Sequence, residues 1–188
     1  RFTIGNDIQL SPNLNLTSKS PCECAKELRD DPLFKESEPF TIGADDIYKV
    51  TRQTTITIEG SFTNNGTLCI EPGANLSVYN DFENNGTIYN NGYIYNYTQS
   101  TITNSSGATI TNDNNGYIYN NGYITNSSGA TITNNGKIRN HENANITNSS
   151  GATIINNGDI KNYVKSVITN SSGATITNSG GTITNCAT

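Results

Sequence analysis

The sequence predicts an all-β fold: a three-sided parallel β-helix (β-solenoid) of about six 22-residue coils, preceded by an N-terminal α/β cap region. Two observations lead to this fold class. The segment ITNSSGATI begins at residues 102, 124, 146 and 168, always 22 residues apart. Within each repeat an apolar residue recurs every six to eight positions. A short strand followed by a tight corner uses that number of residues, so each repeat makes three strands and three corners.

Three columns of isoleucine define the three predicted faces. β-Branched Ile and Thr dominate the repeats, and Gly or Asn interrupts them every few residues, so strands are expected rather than helices. Phe82, Ile88 and Ile94 continue the columns backwards by one coil. The columns are Ile102, Ile124, Ile146 and Ile168, then Ile110, Ile132, Ile154 and Ile176, and then Ile118, Ile138, Ile160 and Ile183.

An asparagine stands two residues after every isoleucine of these columns. A spacing of two places both side chains on the same, inward side of a strand. Stacked Asn amides can hydrogen-bond from coil to coil, so we expect buried Asn ladders. The twelve residues are Asn104, Asn112, Asn120, Asn126, Asn134, Asn140, Asn148, Asn156, Asn162, Asn170, Asn178 and Asn185.

The composition changes near residue 54, where charged residues become scarce and two-residue alternation begins. We therefore predict an N-terminal cap or extension over 1–53 and the β-solenoid over 54–188. The cap should hold one short helix, with Ser20 as its N-cap, Pro21 at its first position and Pro32 ending it. No such cap is expected after the last strand, and an uncapped strand edge is a template for another copy.

Charge and hydropathy exclude several classes of partner. The net charge of −5 argues against nucleic acid, which needs clustered Lys and Arg. No apolar run reaches the roughly 20 residues that span a bilayer, so no membrane insertion is expected. The chain lacks Met and begins with Arg, which favours an exported, mature chain at the cell surface or outside the cell. Ten N-x-S/T sites make glycans a candidate partner.

The four cysteines are Cys22, Cys24, Cys69 and Cys186. An even number in an exported chain favours disulfides, and three pairings are open if all four are bonded. Cys186 is the best candidate for a bond between chains, with Cys22, Cys24 or Cys69 as its partner. Their spacing, with a single His in the chain, lacks a zinc-site pattern, so neither a metal nor another cofactor is predicted.

Two predicted faces carry regular outward side chains. The second face shows a Thr ladder that includes Thr109, Thr111, Thr131 and Thr133. The third face shows a cluster of Tyr93, Tyr95, Tyr117 and Tyr119, and exposed aromatic clusters mark contact surfaces. We predict lateral contacts through both faces. The Thr ladder also allows an ice-binding module, and the Tyr cluster allows a carbohydrate-binding adhesin.

Catalytic constellations are scarce in the repeats. Only Asp81 and Glu83 stand close together among the acidic residues of this region, flanking inward Phe82. General acid–base chemistry needs several ionisable groups on one face. We therefore expect no enzymatic activity.

The elements NNGTI, NNGYI and SSGATITN resemble the Asn/Gly-rich repeats of haemagglutinin- and adhesin-type β-helices on prokaryotic surfaces, over roughly residues 60–188. A short, Met-free β-helix with cysteines also looks like a sheath subunit of methanogenic archaea. These resemblances imply a structural subunit of a self-assembling extracellular polymer, a sheath, surface layer or fibre, that associates with itself through packing and inter-chain disulfides.

Overall fold

Seven coils of three short strands each form a parallel β-solenoid, so the predicted fold class is confirmed. The computed structural model describes residues 20–186. Corresponding strands of successive coils pair in parallel and build three sheets. An additional two-residue strand lies ahead of the first coil in the second sheet.

The first sheet has seven strands, one from each coil. They are β2 (Phe40–Ile42), β5 (Phe62–Asn64), β8 (Phe82–Asn84), β11 (Thr101–Asn104), β14 (Tyr123–Asn126), β17 (Asn145–Asn148) and β20 (Val167–Asn170).

The second sheet has eight strands because it includes the additional one. They are β1 (Lys26–Glu27), β3 (Ile47–Val50), β6 (Thr67–Ile70), β9 (Thr87–Asn90), β12 (Thr109–Asn112), β15 (Thr131–Asn134), β18 (Thr153–Asn156) and β21 (Thr175–Asn178).

The third sheet again has seven strands. They are β4 (Thr55–Ile58), β7 (Asn75–Val78), β10 (Tyr93–Asn96), β13 (Tyr117–Asn120), β16 (Lys137–Asn140), β19 (Asp159–Asn162) and β22 (Thr182–Asn185).

The register between coils follows the sequence repeat. Ile110 pairs with Ile132 and Asn112 with Asn134, so like residues stack on like residues. Most strands bury their second and fourth residues and leave the first and third partly exposed, as two-residue alternation requires. The three apolar columns predicted from the sequence form the core, apart from the last member of each column: Ile168, Ile176 and Ile183.

Glycine allows the corners to turn where another residue would be strained. Gly129, in the SSGA corner, has φ +78°, a left-handed conformation that side chains with a Cβ disfavour. Gly136 meets a different requirement, because a Cβ there would lie 2.3 Å from the carbonyl oxygens of Asp113 and Gly116. These two corner types correspond to the SSG and NNG motifs of the repeats.

The regular stack begins before residue 54. Strands β2 and β3 already belong to the first and second sheets, so the first coil covers roughly residues 40–58. This coil lacks the Asn/Gly motifs of the later ones, and for that reason the repeat pattern predicts six coils where the structure has seven.

The helix predicted from Ser20 to Pro32 is split in the structure. Ser20 caps a 3₁₀ helix, Pro21–Cys24, by accepting a hydrogen bond from the backbone N–H of Cys22. Strand β1 then pairs with β3, and a second 3₁₀ helix, Leu28–Asp30, follows. Burial of Leu28 and strand pairing outweigh local helix propensity here. Over residues 20–186 no helix is long and apolar enough to cross a membrane.

Candidate assembly surfaces

Three Asn ladders run along the inside of the solenoid. Each side-chain Nδ2 donates to the Oδ1 of the Asn one coil further on, over 2.7–3.0 Å. The twelve predicted residues all take part, and four earlier ones extend the ladders: Asn64, Asn84, Asn90 and Asn96.

All three ladders point the same way. An acceptor therefore faces the N-terminal end and a donor faces the C-terminal end of each ladder. The buried Oδ1 of Asn64 has no hydrogen-bond partner among the described residues, which marks the first rung of its ladder. In the preceding coil, the position that corresponds to Asn64 is occupied by Ile42. The polar ladder thus gives way to an apolar core near the N-terminal end.

The N-terminal end of the stack is covered by residues 20–39. Leu28 is fully buried, and Phe34 packs edge-on against Phe40 with ring centroids 5.2 Å apart. Backbone groups at this edge also find partners: the Arg29 guanidinium donates to the carbonyl of Thr55 at 2.6 Å. This segment therefore acts as the cap that a solenoid end requires.

Glu36 contributes to the same cover. Its backbone carbonyl accepts hydrogen bonds from the N–H groups of Glu59 and Gly60, at 2.8 and 3.0 Å. Its carboxylate accepts from the N–H of Thr57 at 2.9 Å. The third sheet and the following corner are thereby closed to an incoming strand.

Tyr48 links the cap to the first coil. Its side chain is buried, and its hydroxyl donates a hydrogen bond to the carboxylate of Asp31. That bond, together with burial, raises the pKa of Tyr48 to about 12. The same bond, with the N–H of Leu33, lowers the pKa of Asp31. Lys26 lies over the Tyr48 ring, 5.6 Å from its centroid.

The cysteines divide into one bonded pair and two free thiols. Cys22 and Cys69 form a disulfide that fastens the cap to β6. Both are therefore excluded as partners for Cys186, and only Cys24 is left of the three predicted candidates. Cys24 is exposed and Cys186 partly exposed.

Cys24 and Cys186 lie at opposite ends of the rod. Cys24 belongs to the cap beside the first coil, whereas Cys186 follows β22 and donates its N–H to the carbonyl of Asn162. Five to six coil spacings separate these positions, roughly 24–29 Å. A disulfide needs Cα atoms within about 7 Å, so these two thiols cannot pair within one chain.

The last described coil has a different surface from the coils before it. Ile168 and Ile176 are only partly buried, and Ile183 is 43% exposed. Within residues 20–186 no strand pairs with the outer edges of β20, β21 and β22. Unpaired parallel strands with apolar residues beneath them are able to accept further strands.

An aromatic strip runs along the third sheet and the corner that follows it. The four predicted residues stack in pairs: Tyr95 lies over Tyr119 at 5.1 Å between centroids, and Tyr93 over Tyr117 at 5.5 Å. The residues of the strip that lie on corners were not predicted from the sequence, because their alignment depends on how the coils stack. The strip consists of Tyr79, Tyr93, Tyr95, Tyr97, Tyr117, Tyr119, His141 and Tyr163.

His141 continues the strip towards the C-terminal end. Its ring stacks on Tyr163 at 4.9 Å and on Tyr119 at 5.8 Å. Burial and the neighbouring Arg139 lower the pKa of His141, which favours the neutral ring. Burial also raises the pKa of Tyr95 and of Tyr119.

Charged residues border the strip. Lys137 lies over the Tyr117 ring, 4.7 Å from its centroid, and donates a hydrogen bond to the Tyr117 hydroxyl. Arg139 forms a 2.7 Å ion pair with Asp159. This surface combines stacked rings, hydroxyl groups and charges of both signs, a composition suited to protein contacts.

The Thr ladder lies on the outer face of the second sheet, in the predicted register. Thr109 stands beside Thr131 and Thr111 beside Thr133, and the second column is interrupted by Ile155. A further Thr column, which was not predicted from the sequence, lies on the first sheet, where Thr103 pairs with Thr125.

Burial separates the N-x-S/T sites into two groups. Asn104, Asn126 and Asn148 are ladder residues with no exposed surface. Asn65 and Asn85 are exposed at a corner, where Nδ2 of Asn85 donates to Oδ1 of Asn65 at 3.0 Å. Asn65 and Asn85 are therefore able to carry a glycan on the folded chain, whereas the three ladder residues are not.

Among residues 20–186 no three His, Cys, Asp or Glu side chains come together in a way that could hold a metal ion. No family model, curated protein or solved structure matches this chain.

Proposed function

We propose that this protein is a structural subunit of a self-assembling extracellular polymer, a sheath, surface layer or fibre. The observation that carries the proposal is the position of the two free thiols, Cys24 and Cys186, at opposite ends of a rod whose other two cysteines are already bonded. A bond between them can form only between chains, and its repetition yields a linear series of blocks.

The ends of the block support this arrangement. The cap closes the N-terminal end with its own hydrogen bonds, whereas no strand of the described residues pairs with the outer edges of β20, β21 and β22. The open end supplies strand edges and partly exposed isoleucines for contact with the next block, and the disulfide makes the contact permanent. An oxidising environment outside the cell maintains such a bond.

The sides of the block offer a second contact. The aromatic strip presents partly exposed tyrosines over about five coils, roughly 19 Å between its first and last rungs. Tyr is enriched where proteins meet, because it combines apolar area with a hydroxyl group. Lateral packing of strips on neighbouring rods turns a chain of blocks into a wall.

The test compares the full chain with Cys24→Ser and Cys186→Ser variants, using non-reducing and reducing electrophoresis and electron microscopy of the same samples. We expect disulfide-linked ladders and visible tubes, sheets or fibres for the unaltered chain. Each variant alone should stay monomeric in the non-reducing lane, and a mixture of the two should stop at a disulfide-linked dimer. Peptide mapping of the unaltered chain should find Cys24 joined to Cys186. A monomer in both lanes, with no assemblies, would overturn the proposal.

The register of the Thr ladder supports a second candidate, ice binding. Thr109, Thr131, Thr153 and Thr175 form an unbroken column with one residue per coil, a regular spacing of hydroxyl groups on a flat sheet. The doubly substituted Cys24→Ser, Cys186→Ser monomer should then show thermal hysteresis that Thr131→Tyr abolishes. Absence of any ice shaping would exclude this candidate.

Carbohydrate binding by the strip has weaker support. Sugar rings stack on open aromatic faces, and the rings here stack largely on one another. The adhesin hypothesis would be supported by glycan binding that is lost in Tyr93→Ala, Tyr117→Ala double variants.

A further inference from the structure

An apolar channel runs along the axis of the solenoid. It has a volume of about 410 Å³ and is lined by the isoleucines of all three sheets from Ile88 to Ile183. Phe82 closes it at the N-terminal side, and no residue within 20–186 covers it at the other. The lining isoleucines reflect the void: Ile124 and Ile146 are 4% exposed, while Leu68 and Leu76, nearer the cap, are fully buried.

The change of core composition along the rod explains where the channel begins. Near the cap, Phe62 packs edge-on against Phe82 at 5.1 Å. Ile58 and Val78 occupy the third-sheet positions that Asn takes in later coils. Beyond Phe82 the three strands of each coil point only three isoleucines and three asparagines inward. The asparagines stay at the corners, hydrogen-bonded in their ladders, so the axis is left unfilled.

A void of this size is unusual in a protein interior. Close-packed cores contain few cavities larger than a water molecule, because lining atoms without neighbours lose their dispersion contacts. An aliphatic cavity gives water no hydrogen-bond partners, and an engineered cavity of about 150 Å³ lined by Leu, Ile and Phe stays dry and binds benzene or xenon. An apolar ligand would restore the missing contacts.

The dimensions of the channel define the shape of that ligand. From the coil of Phe82 to the coil of Ile183 there are four coil spacings, about 19 Å. The isoleucines that line the bore from Ile88 to Ile160 are at most 4% exposed, so the space between them is narrow. An extended carbon chain advances about 1.25 Å per bond, so about 15 bonds fit. A slender chain suits this bore better than a broad ring system.

The mouth differs chemically from the bore. Asn162, Ser166 and Asn185 line it, and Asn185 is the last Asn of its ladder. These groups can solvate a polar end that the isoleucines cannot. We propose that the channel binds one unbranched, saturated alkyl chain of about 16 carbons, inserted from the last coil with its polar end at this mouth. This site is independent of the polymer and would be loaded before a neighbouring block covers the end.

The test uses the full chain and hexadecanoate as the probe, with binding followed by titration calorimetry and by mass spectrometry of the intact complex. Ile124→Phe places a ring in the middle of the bore, and Thr125→Phe adds the same ring to the outside of the same strand. We expect one hexadecanoate per unaltered chain, at least tenfold weaker binding to Ile124→Phe, and unchanged binding to Thr125→Phe. Adamantane carboxylate, which is compact and wide, should not bind.

Thermal unfolding of each variant establishes that it is folded. If Ile124→Phe does not fold, Ile146→Phe blocks the bore one coil further on and replaces it. Absence of saturable binding to the unaltered chain would overturn the proposal. Equal binding to a folded bore variant and to Thr125→Phe would also overturn it, because the chain would then lie on the exposed surface of the last coil.

Discussion

The side-chain amide of Asn112 donates to that of Asn134, one coil further along, over 2.7 Å, and both side chains are fully buried. Asn134 passes the same bond on to Asn156. An interior with only three isoleucines per coil thus gains a second set of repeating contacts. Since a buried amide without partners is costly, each rung depends on the rungs before and after it.

Replacing a central rung should therefore destabilise the solenoid. Asn134→Ala removes the acceptor of Asn112 and the donor to Asn156, so we expect the free energy of unfolding to fall by about 1–3 kcal/mol. Asn157→Ala, an exposed corner residue bonded to Asn135, is the matched control and should change it by less than about 0.5 kcal/mol. Urea denaturation of both variants measures these changes in the free energy of unfolding. Equal changes would show that a ladder hydrogen bond stabilises the fold no more than a surface hydrogen bond does.

Stacking within the aromatic strip should be measurable as a coupling between coils. In a double-mutant cycle of Tyr95→Leu and Tyr119→Leu, whose rings are 5.1 Å apart, we expect a coupling free energy of about 0.5–1.5 kcal/mol. Thermal or urea unfolding of the unaltered chain, the two single variants and the double variant gives this coupling free energy. Strict additivity would mean that the two rings stabilise the fold only by covering the sheet.

The bond between Tyr48 and Asp31 should make the cap sensitive to alkali. The pKa of Tyr48 is about 12 in the folded chain and near 10 when unfolded, so the folded state holds this proton more tightly. The resulting stabilisation is complete below about pH 10 and is lost as the pH rises towards 12. On the acid side, the lowered pKa of Asp31 makes its contribution disappear as the pH falls through that value.

Unfolding free energies between pH 9 and 12 for the unaltered chain and Tyr48→Phe isolate this effect. Tyr95 and Tyr119 also have raised pKa values and titrate in both proteins, so only the difference between the two curves reports on Tyr48. We expect that difference to shrink above pH 10. A constant difference across the range would contradict the assignment.

Glycans should be confined to exposed corners. A sugar on Nδ2 of Asn104, Asn126 or Asn148 would replace a ladder donor and could not be accommodated in the interior. Mass spectrometry of peptides from the protein isolated from its source should find these three unmodified, with any glycan at positions such as Asn65 or Asn85. An occupied Asn126 in folded material would contradict the ladder.

The fold was predictable because its signals are local and repeated. Ile132 and Asn134 stand two residues apart, and the same Ile-x-Asn spacing recurs in the 22-residue repeats, so inward alternation, strand length and the ladder follow from spacing alone. The first coil was not predictable from the repeat, because Phe40, Tyr48 and Ile56 occupy its three faces without the Asn/Gly corners that mark the others. The short helix was mispredicted since the cap's conformation depends on what it covers.

The candidate contact surfaces were predictable only in part. Tyr95 and Tyr119 share a strand position and could be placed side by side, but Tyr97, His141 and Tyr163 lie on corners whose lengths vary from coil to coil. Their alignment into one strip depends on how those corners stack.

The sequence by itself determined the architecture: Ile and Asn recur two residues apart on three faces, and stacking like residues on like keeps both columns in register. The tertiary structure decided what the period cannot encode. It joins Cys22 to Cys69 across 47 residues and so leaves Cys24 and Cys186 free at opposite ends. It also opens a channel beyond Phe82. The cysteine pairing and the channel depend on distances between coils and on the space between the three faces, which are defined only in the folded chain.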